Sequence, residues 1–189
     1  MEQTEKNERV SLTNKTMILG TILGAYQIVK YLVFALYLSM PSMSFLFIIM
    51  ALGVPVVAFY LQKRFRDKYS PKVFPFFVSW MTSFLTFFYS VVLSMVVCYI
   101  ALELFDKDGT FFTLLSNQMV VSADLYRSIE GVDAELIELM DRYAKAFSTM
   151  QPLTLIKMVI PTVFSTGNIL SVIIAALTTI SIRKSLQNR

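Results

Sequence analysis

The chain has no histidine, a single cysteine, and few glycines and prolines, and charged residues make up only 16% of it. Each scarcity excludes something. Without histidine there is no Ser-His or Cys-His nucleophile pair, no imidazole zinc ligand and no imidazole proton relay. One thiol builds neither a thiolate metal site nor an intrachain disulfide. Cys98 also lies inside an apolar run, so it says nothing about redox compartment. No glycine-rich phosphate loop of the Walker type occurs. The chain is therefore read as a non-enzyme, with no cofactor and no metal expected. Charge is scarcer than the roughly 25% of an ordinary soluble domain. With 56% hydrophobic residues and a mean hydropathy of +0.61, the surplus of apolar side chains needs an apolar solvent. The net charge of +4 is distributed as a membrane protein distributes it, and nucleic acid is not expected as a partner.

What the sequence does contain is four long apolar runs, at residues 17–38, 45–61, 73–102 and 153–182. A helix needs about 20 residues to cross the hydrocarbon core. The second run is near the short limit. The third and fourth exceed the requirement, and tilt or protrusion absorbs the excess. The alternating ten-residue strands of a membrane barrel are absent. Residues 1–15 mix acids with bases, and the run that follows is longer than a signal peptide's apolar region, so the first run reads as a retained anchor. The expected fold class is all-α: a polytopic membrane protein with four transmembrane helices and an α-helical outer loop over residues 103–152. Residues 1–189 then form a single membrane domain.

Orientation follows from the positive-inside rule. The N-terminal tail (Lys6, Arg9, Lys15), the loop between runs two and three (Lys63, Arg64, Arg66, Lys68, Lys72) and the C-terminal tail (Arg183, Lys184, Arg189) fall on one side of a four-span chain. These eleven bases face only Glu2, Glu5, Glu8 and Asp67, whereas the opposite side holds nine acids and five bases. The termini are thus expected in the cytoplasm. Tyr60 and Tyr69 on the inner side, and Tyr37 and Tyr99 on the outer, sit at the levels of interfacial aromatic belts.

The outer loop carries its own helical signal. Leu136, Leu139, Met140, Tyr143 and Phe147 share one helical face, and Asp133, after Gly131-Val132, is placed to cap it. The membrane surface or the ends of spans three and four are expected to cover that face. Glu138–Arg142 and Asp141–Lys145 are i,i+4 pairs with the acid first. Residues 110–121 form a weaker helical candidate after the turn-like Asp106-Lys107-Asp108-Gly109.

Five positions stand out within the spans. Lys30 is the one charge well inside a run, with no in-span acid to pair with. It either snorkels outward, toward Glu103, or binds an anionic ligand or partner. Gly20 and Gly24 form a Gly-x-x-x-Gly pair, which suits close helix contact inside the bundle or in a homo-oligomer seam. Pro161 removes a backbone hydrogen bond in the fourth span. The polar residues that follow, Ser165, Thr166 and Asn168 among them, either serve ordinary helix contacts or line a hydrated groove. Pro55 with Gly53 is a weaker break of the same kind. In the third span Ser79, Ser83, Thr86, Ser90 and Ser94 step by four, three, four and four, so they lie on one face expected to pack against neighbouring helices.

The Gly20-x-x-x-Gly24 opening, the short Arg66-Asp67-Lys68 segment after span two, the outer segment ending in a Met-bearing helix and the last span running into Arg183-Lys184 give the chain a resemblance. It is similar to a bacterial family found chiefly in Bacteroidetes and catalogued as domain of unknown function forty-one ninety-nine. The resemblance implies a four-span inner-membrane protein with no established activity and, as a partner, a membrane-associated glycosyltransferase. Together these readings give a non-enzymatic integral inner-membrane protein, an accessory or scaffolding subunit of a membrane complex. The alternative is a small transporter or lipid-handling protein that uses the kinked fourth span.

Overall fold

The apolar runs form helices, and the helices outlast the runs. The computed structural model describes the backbone of residues 2–69, 75–129 and 133–187, and the side chains of 13–68, 75–129 and 133–179. Lys6, Arg9, Lys72, Arg183, Lys184 and Arg189, on which the charge asymmetry partly rests, lie outside the described side chains, and Gly131-Val132 lies outside the described residues. The elements are α1 (Glu2–Ser39), a 3₁₀ turn at Pro41–Met43, α2 (Ser44–Tyr69), α3 (Phe76–Phe105), α4 (Thr110–Arg127), α5 (Ala134–Ser148) and α6 (Pro152–Gln187). Among the described residues there is no strand. Four helices there are long and apolar enough to cross a membrane: Thr13–Ser39, Pro41–Lys68, Phe76–Phe105 and Pro152–Thr179. The chain is an all-α polytopic membrane protein, with α1, α2, α3 and α6 as spans and α4–α5 as a helical hairpin between the last two. The two ends of the bundle are the hairpin end and the basic end, the latter carrying the end of α2 and the start of α3.

One boundary corrects the sequence reading. The segment Lys63 to Lys68, read as a loop, is the last two turns of α2. Gln, Lys, Arg and Phe sustain a helix without difficulty, and α2 runs to Tyr69.

Helix α3 is the centre of the bundle, packing most extensively on α1 and α6, while α2 leans chiefly on α1. Missing side chains set these distances. A Cβ on Gly20 would stand 2.5 Å from Tyr89 Cβ, and one on Gly24 would stand 3.0 Å from Leu93 Cδ2. The Gly-x-x-x-Gly pair is therefore used inside the molecule, between α1 and α3. On the other flank Gly167 of α6 lies against Phe87 of α3, with a Cβ-to-be 3.3 Å from Phe87 Cβ. Leu23, Val54, Ala58, Leu61, Phe87 and Ile174 fill the space between the four spans, and Val91, Met95 and Ile156 form a second cluster nearer the hairpin end. Outward, Leu32, Phe45, Leu52, Val56 and Ile173 are exposed. In water such a surface would drive aggregation; in hydrocarbon it is the solvated face.

The hairpin starts from the predicted turn. Gly109 takes φ 67°, a left-handed conformation that costs glycine little, and Asp106 Oδ1 accepts from the Phe111 N–H at 2.7 Å. Asp133 caps α5 as expected, accepting from Glu135 N–H at 2.9 Å. Glu138 and Arg142 pair at 2.7 Å. Asp141 does not pair with Lys145; its partner is Arg127 of α4, which also holds Asp124. Hydrogen bonds from Arg127 to Asp124 and Asp141 raise the guanidinium above its usual pKa. On the apolar face of α5, Met140 and Phe147 are half-buried. Ala144 is buried against α4, its carbonyl accepting from Ser116 Oγ at 2.8 Å, while Leu136, Leu139 and Tyr143 stay exposed.

Candidate functional site

Three polar features interrupt the apolar bundle. The first is a seam along α3. Ser79, Thr82, Ser83, Thr86, Ser90 and Ser94 are all buried, spanning about 22 Å of helix at 1.5 Å per residue. The seam receives amides from two neighbours: Gln27 Nε2 of α1 donates to Ser90 Oγ at 2.9 Å, and Gln62 Nε2 of α2 donates to the Ser79 carbonyl at 3.2 Å and to Thr82 Oγ1. From α6, Thr178 Oγ1 meets Ser79 Oγ at 2.7 Å. Between helices in a membrane such bonds average about 0.6 kcal/mol each, so the seam sets register more than it adds stability. It ends on Arg66, which is buried although it was read as a loop cation. Its Nη1 donates to the Thr178 carbonyl at 2.7 Å and its Nε to Asp67 Oδ1 at 2.8 Å. The planar fork reaches both at once, which the ammonium of a lysine cannot do.

The second feature surrounds Lys30, about 13 Å from the hairpin end of α1 by helical rise. Its ammonium does not reach outward to Glu103. It lies 3.4 Å from Gln27 Oε1, one turn deeper, and 4.2 Å from the centroid of the Tyr31 ring. Because Gln27 gives its Nε2 to Ser90, its oxygen is fixed toward Lys30. Among the described residues no carboxylate faces this cation. Beside it a cavity of about 430 Å³ extends between the hairpin-end halves of α1, α3 and α6, roofed by α4 and by Phe147. Apart from Lys30, its walls are almost wholly apolar, with a thiol at Cys98. The Tyr31 hydroxyl is buried without a hydrogen-bond partner.

The third feature is the outward side of α6. Thr154, Lys157, Pro161, Ser165 and Asn168 follow one another by three, four, four and three residues, so they form one stripe, which lies within the Pro152–Thr179 span; all five are exposed. The side that packs on α3 and α2 carries Ile156, Gly167, Ser171, Ile174 and Thr178, which are buried. Pro161 and its polar neighbours therefore do not line a groove within the bundle. Thr166 Oγ1 turns back to its own helix, donating to the Thr162 carbonyl at 2.8 Å. No such bond holds the Asn168 side chain, which stands about 4 Å from the middle of the Pro152–Thr179 span by helical rise.

The residues singled out in the sequence thus separate. Gly20 and Gly24 belong to the α1–α3 seam, Lys30 to the cavity, and Pro161 and Asn168 to the outer side of α6. Sequence reasoning passed over Gln27, Gln62 and Arg66. The available signal was an amide within or just beyond an apolar run. Among the described residues no group of three or more carboxylate or thiol side chains gathers as a metal site would require.

Residues 18–179 match the family model described as "Protein of unknown function (DUF4199)". The chain belongs to this family. Membership covers all four spans and the hairpin, so the seam, the cavity and the α6 stripe all lie within the family's domain. No curated protein and no solved structure matches the chain.

Proposed function

We propose that the protein is a non-enzymatic accessory or scaffolding subunit of a bacterial inner-membrane complex, and that it binds its partner through the outward face of α6. The supporting observation is Asn168. A primary amide with no partner in hydrocarbon costs about 2–7 kcal/mol, and polar side chains at membrane depth face protein or water in nearly all membrane proteins. On this chain the amide points away from the bundle, in line with Ser165 and Lys157. The occupant with matching chemistry is a transmembrane helix of another protein. It carries a hydrogen-bonding side chain opposite Asn168 and an acidic residue at the level of Lys157, which is exposed near the hairpin end of the span. The charge distribution supports a cytoplasmic basic end and a hairpin on the far side of the membrane. The family resemblance makes a membrane-associated glycosyltransferase the first partner to test.

Purification of tagged protein from native membranes tests this reading. The expected result is one stoichiometric membrane partner whose yield falls with Asn168→Leu, while expression and folding of the variant are unchanged. Recovery of the chain alone, or only as copies of itself, contradicts it. The lipid-handling alternative draws support from a different place, the cavity at Lys30 rather than the segment after Pro161.

A further inference from the structure

The Lys30 cavity has a size, a lining and a charge that together specify a ligand. At about 430 Å³ it falls within the roughly 300–1,000 Å³ of small-molecule sites. Phe34, Met95, Leu102, Leu115 and Met119 are among its walls, drawn from three helices, and none of them offers a hydrogen bond. Such a space excludes a sugar or a nucleotide and accepts a hydrocarbon chain. At the wall nearest the middle of the bundle sits Lys30, with one long hydrogen bond to Gln27, the Tyr31 ring beside it and no facing carboxylate among the described residues. An ammonium has three donors, so donors remain for an anion.

We propose that this cavity binds a single-chain anionic amphiphile, its chain lying under the α4 roof and its carboxylate or phosphate head held by Lys30 Nζ. The site is independent of the α6 face, so either assignment stands if the other fails. Charge complementarity selects the ligand's sign: a lone cation in an apolar wall attracts an anionic head and repels a cationic one. Gln27 acts as a positioning residue. Its amide is locked by Ser90 and holds the lysine at the inner wall of the chain-binding space.

The test uses the full chain in nanodiscs of zwitterionic phospholipid, with three photoreactive probes sharing one alkyl chain and differing in head: carboxylate, phosphate monoester and trimethylammonium. After irradiation, mass spectrometry locates the labelled residues. The carboxylate or the phosphate probe, or both, is expected to label Met95, Leu115 and Met119; which of them labels more strongly distinguishes a fatty-acid source from a lysophospholipid-like one. The trimethylammonium probe is not expected to label these residues. Loss of a charge-assisted hydrogen bond makes Lys30→Gln reduce labelling about tenfold or more. Lys30→Arg retains labelling. Ala35→Phe, which fills the cavity and leaves the cation, abolishes it, and circular dichroism with a detergent melt shows whether each variant is folded. Equal labelling by anionic and cationic probes, undiminished labelling of folded Lys30→Gln, or labels confined to the outer lipid-facing surface would overturn the assignment.

Discussion

Gly20→Ala probes the centre of the bundle with one methyl group. A Cβ at Gly20 would meet Tyr89 Cβ at 2.5 Å and the Thr86 carbonyl oxygen at 3.0 Å. Neither atom is the free end of a flexible side chain, so α1 and α3 must move apart. At Gly24 the closest atom is Leu93 Cδ2, at 3.0 Å, with the Ser90 carbonyl at 3.3 Å; a leucine methyl can rotate away. Two terms compete at each position. Alanine in a helix interior gains about 1 kcal/mol over glycine, whereas overpacking a close-packed contact costs about 1–3 kcal/mol. At Gly24 the two nearly cancel. At Gly20 the clash is with atoms that cannot yield, so overpacking wins and a net loss of about 1–2 kcal/mol is expected. Reversible unfolding in mixed micelles, titrated with sodium dodecyl sulfate, measures both variants on one scale. Wild-type stability for Gly20→Ala, or an equal loss at the two glycines, would refute the α1–α3 seam as drawn.

Other expectations follow from the same geometry. Arg66→Ala should lower stability in the same titration by about 1.5–3 kcal/mol, the range for hydrogen bonds to a charged group, and Arg66→Lys should recover little, because an ammonium cannot span Asp67 and the Thr178 carbonyl; full recovery by lysine would contradict that account. Cysteines placed at the exposed Lys63 and Lys145 should differ toward a membrane-impermeant maleimide in intact cells, with only Lys145→Cys labelled; the reverse pattern would invert the proposed orientation. Ala144→Asp, at the buried α4–α5 contact, should unfold the hairpin by hydrogen exchange, whereas Leu139→Asp should leave its protection intact; equal effects would mean that α5 faces α4 differently.

The four spans were legible because hydrocarbon imposes a length and a composition that few other environments require, and because Gly20 and Gly24 leave a readable mark where helices touch. The stepping of Ser79, Ser83, Thr86, Ser90 and Ser94 identified the buried face of α3 for a related reason, since small polar residues at that spacing are tolerated there only against protein. The relations between helices were not legible. Arg66 reads as a solvated cation unless α6 is known to place a carbonyl beside it. The outward rotation of Asn168 depends on which side of α6 receives Phe87, and no local pattern states that. Which edge of α5 meets α4 was not legible either: its apolar residues span a wide arc, and pairing with α4 through Ala144 selected one edge of it. The Lys30 cavity arises from six elements meeting, and the sequence announced only its cation.

The outward polar face of α6 is best tested by a photocrosslinking amino acid at Ser165, in native membranes, with the same group at the exposed Leu52 of α2 as the lipid-facing control. The proposed subunit contact gives one discrete heterologous protein adduct from Ser165 and none from Leu52. Adding Asn168→Leu should weaken the Ser165 adduct about 3- to 30-fold, the equivalent of about 0.6–2 kcal/mol for a hydrogen bond between membrane helices. A Ser165 probe that captures only lipid, or an adduct indifferent to Asn168→Leu, would contradict the account.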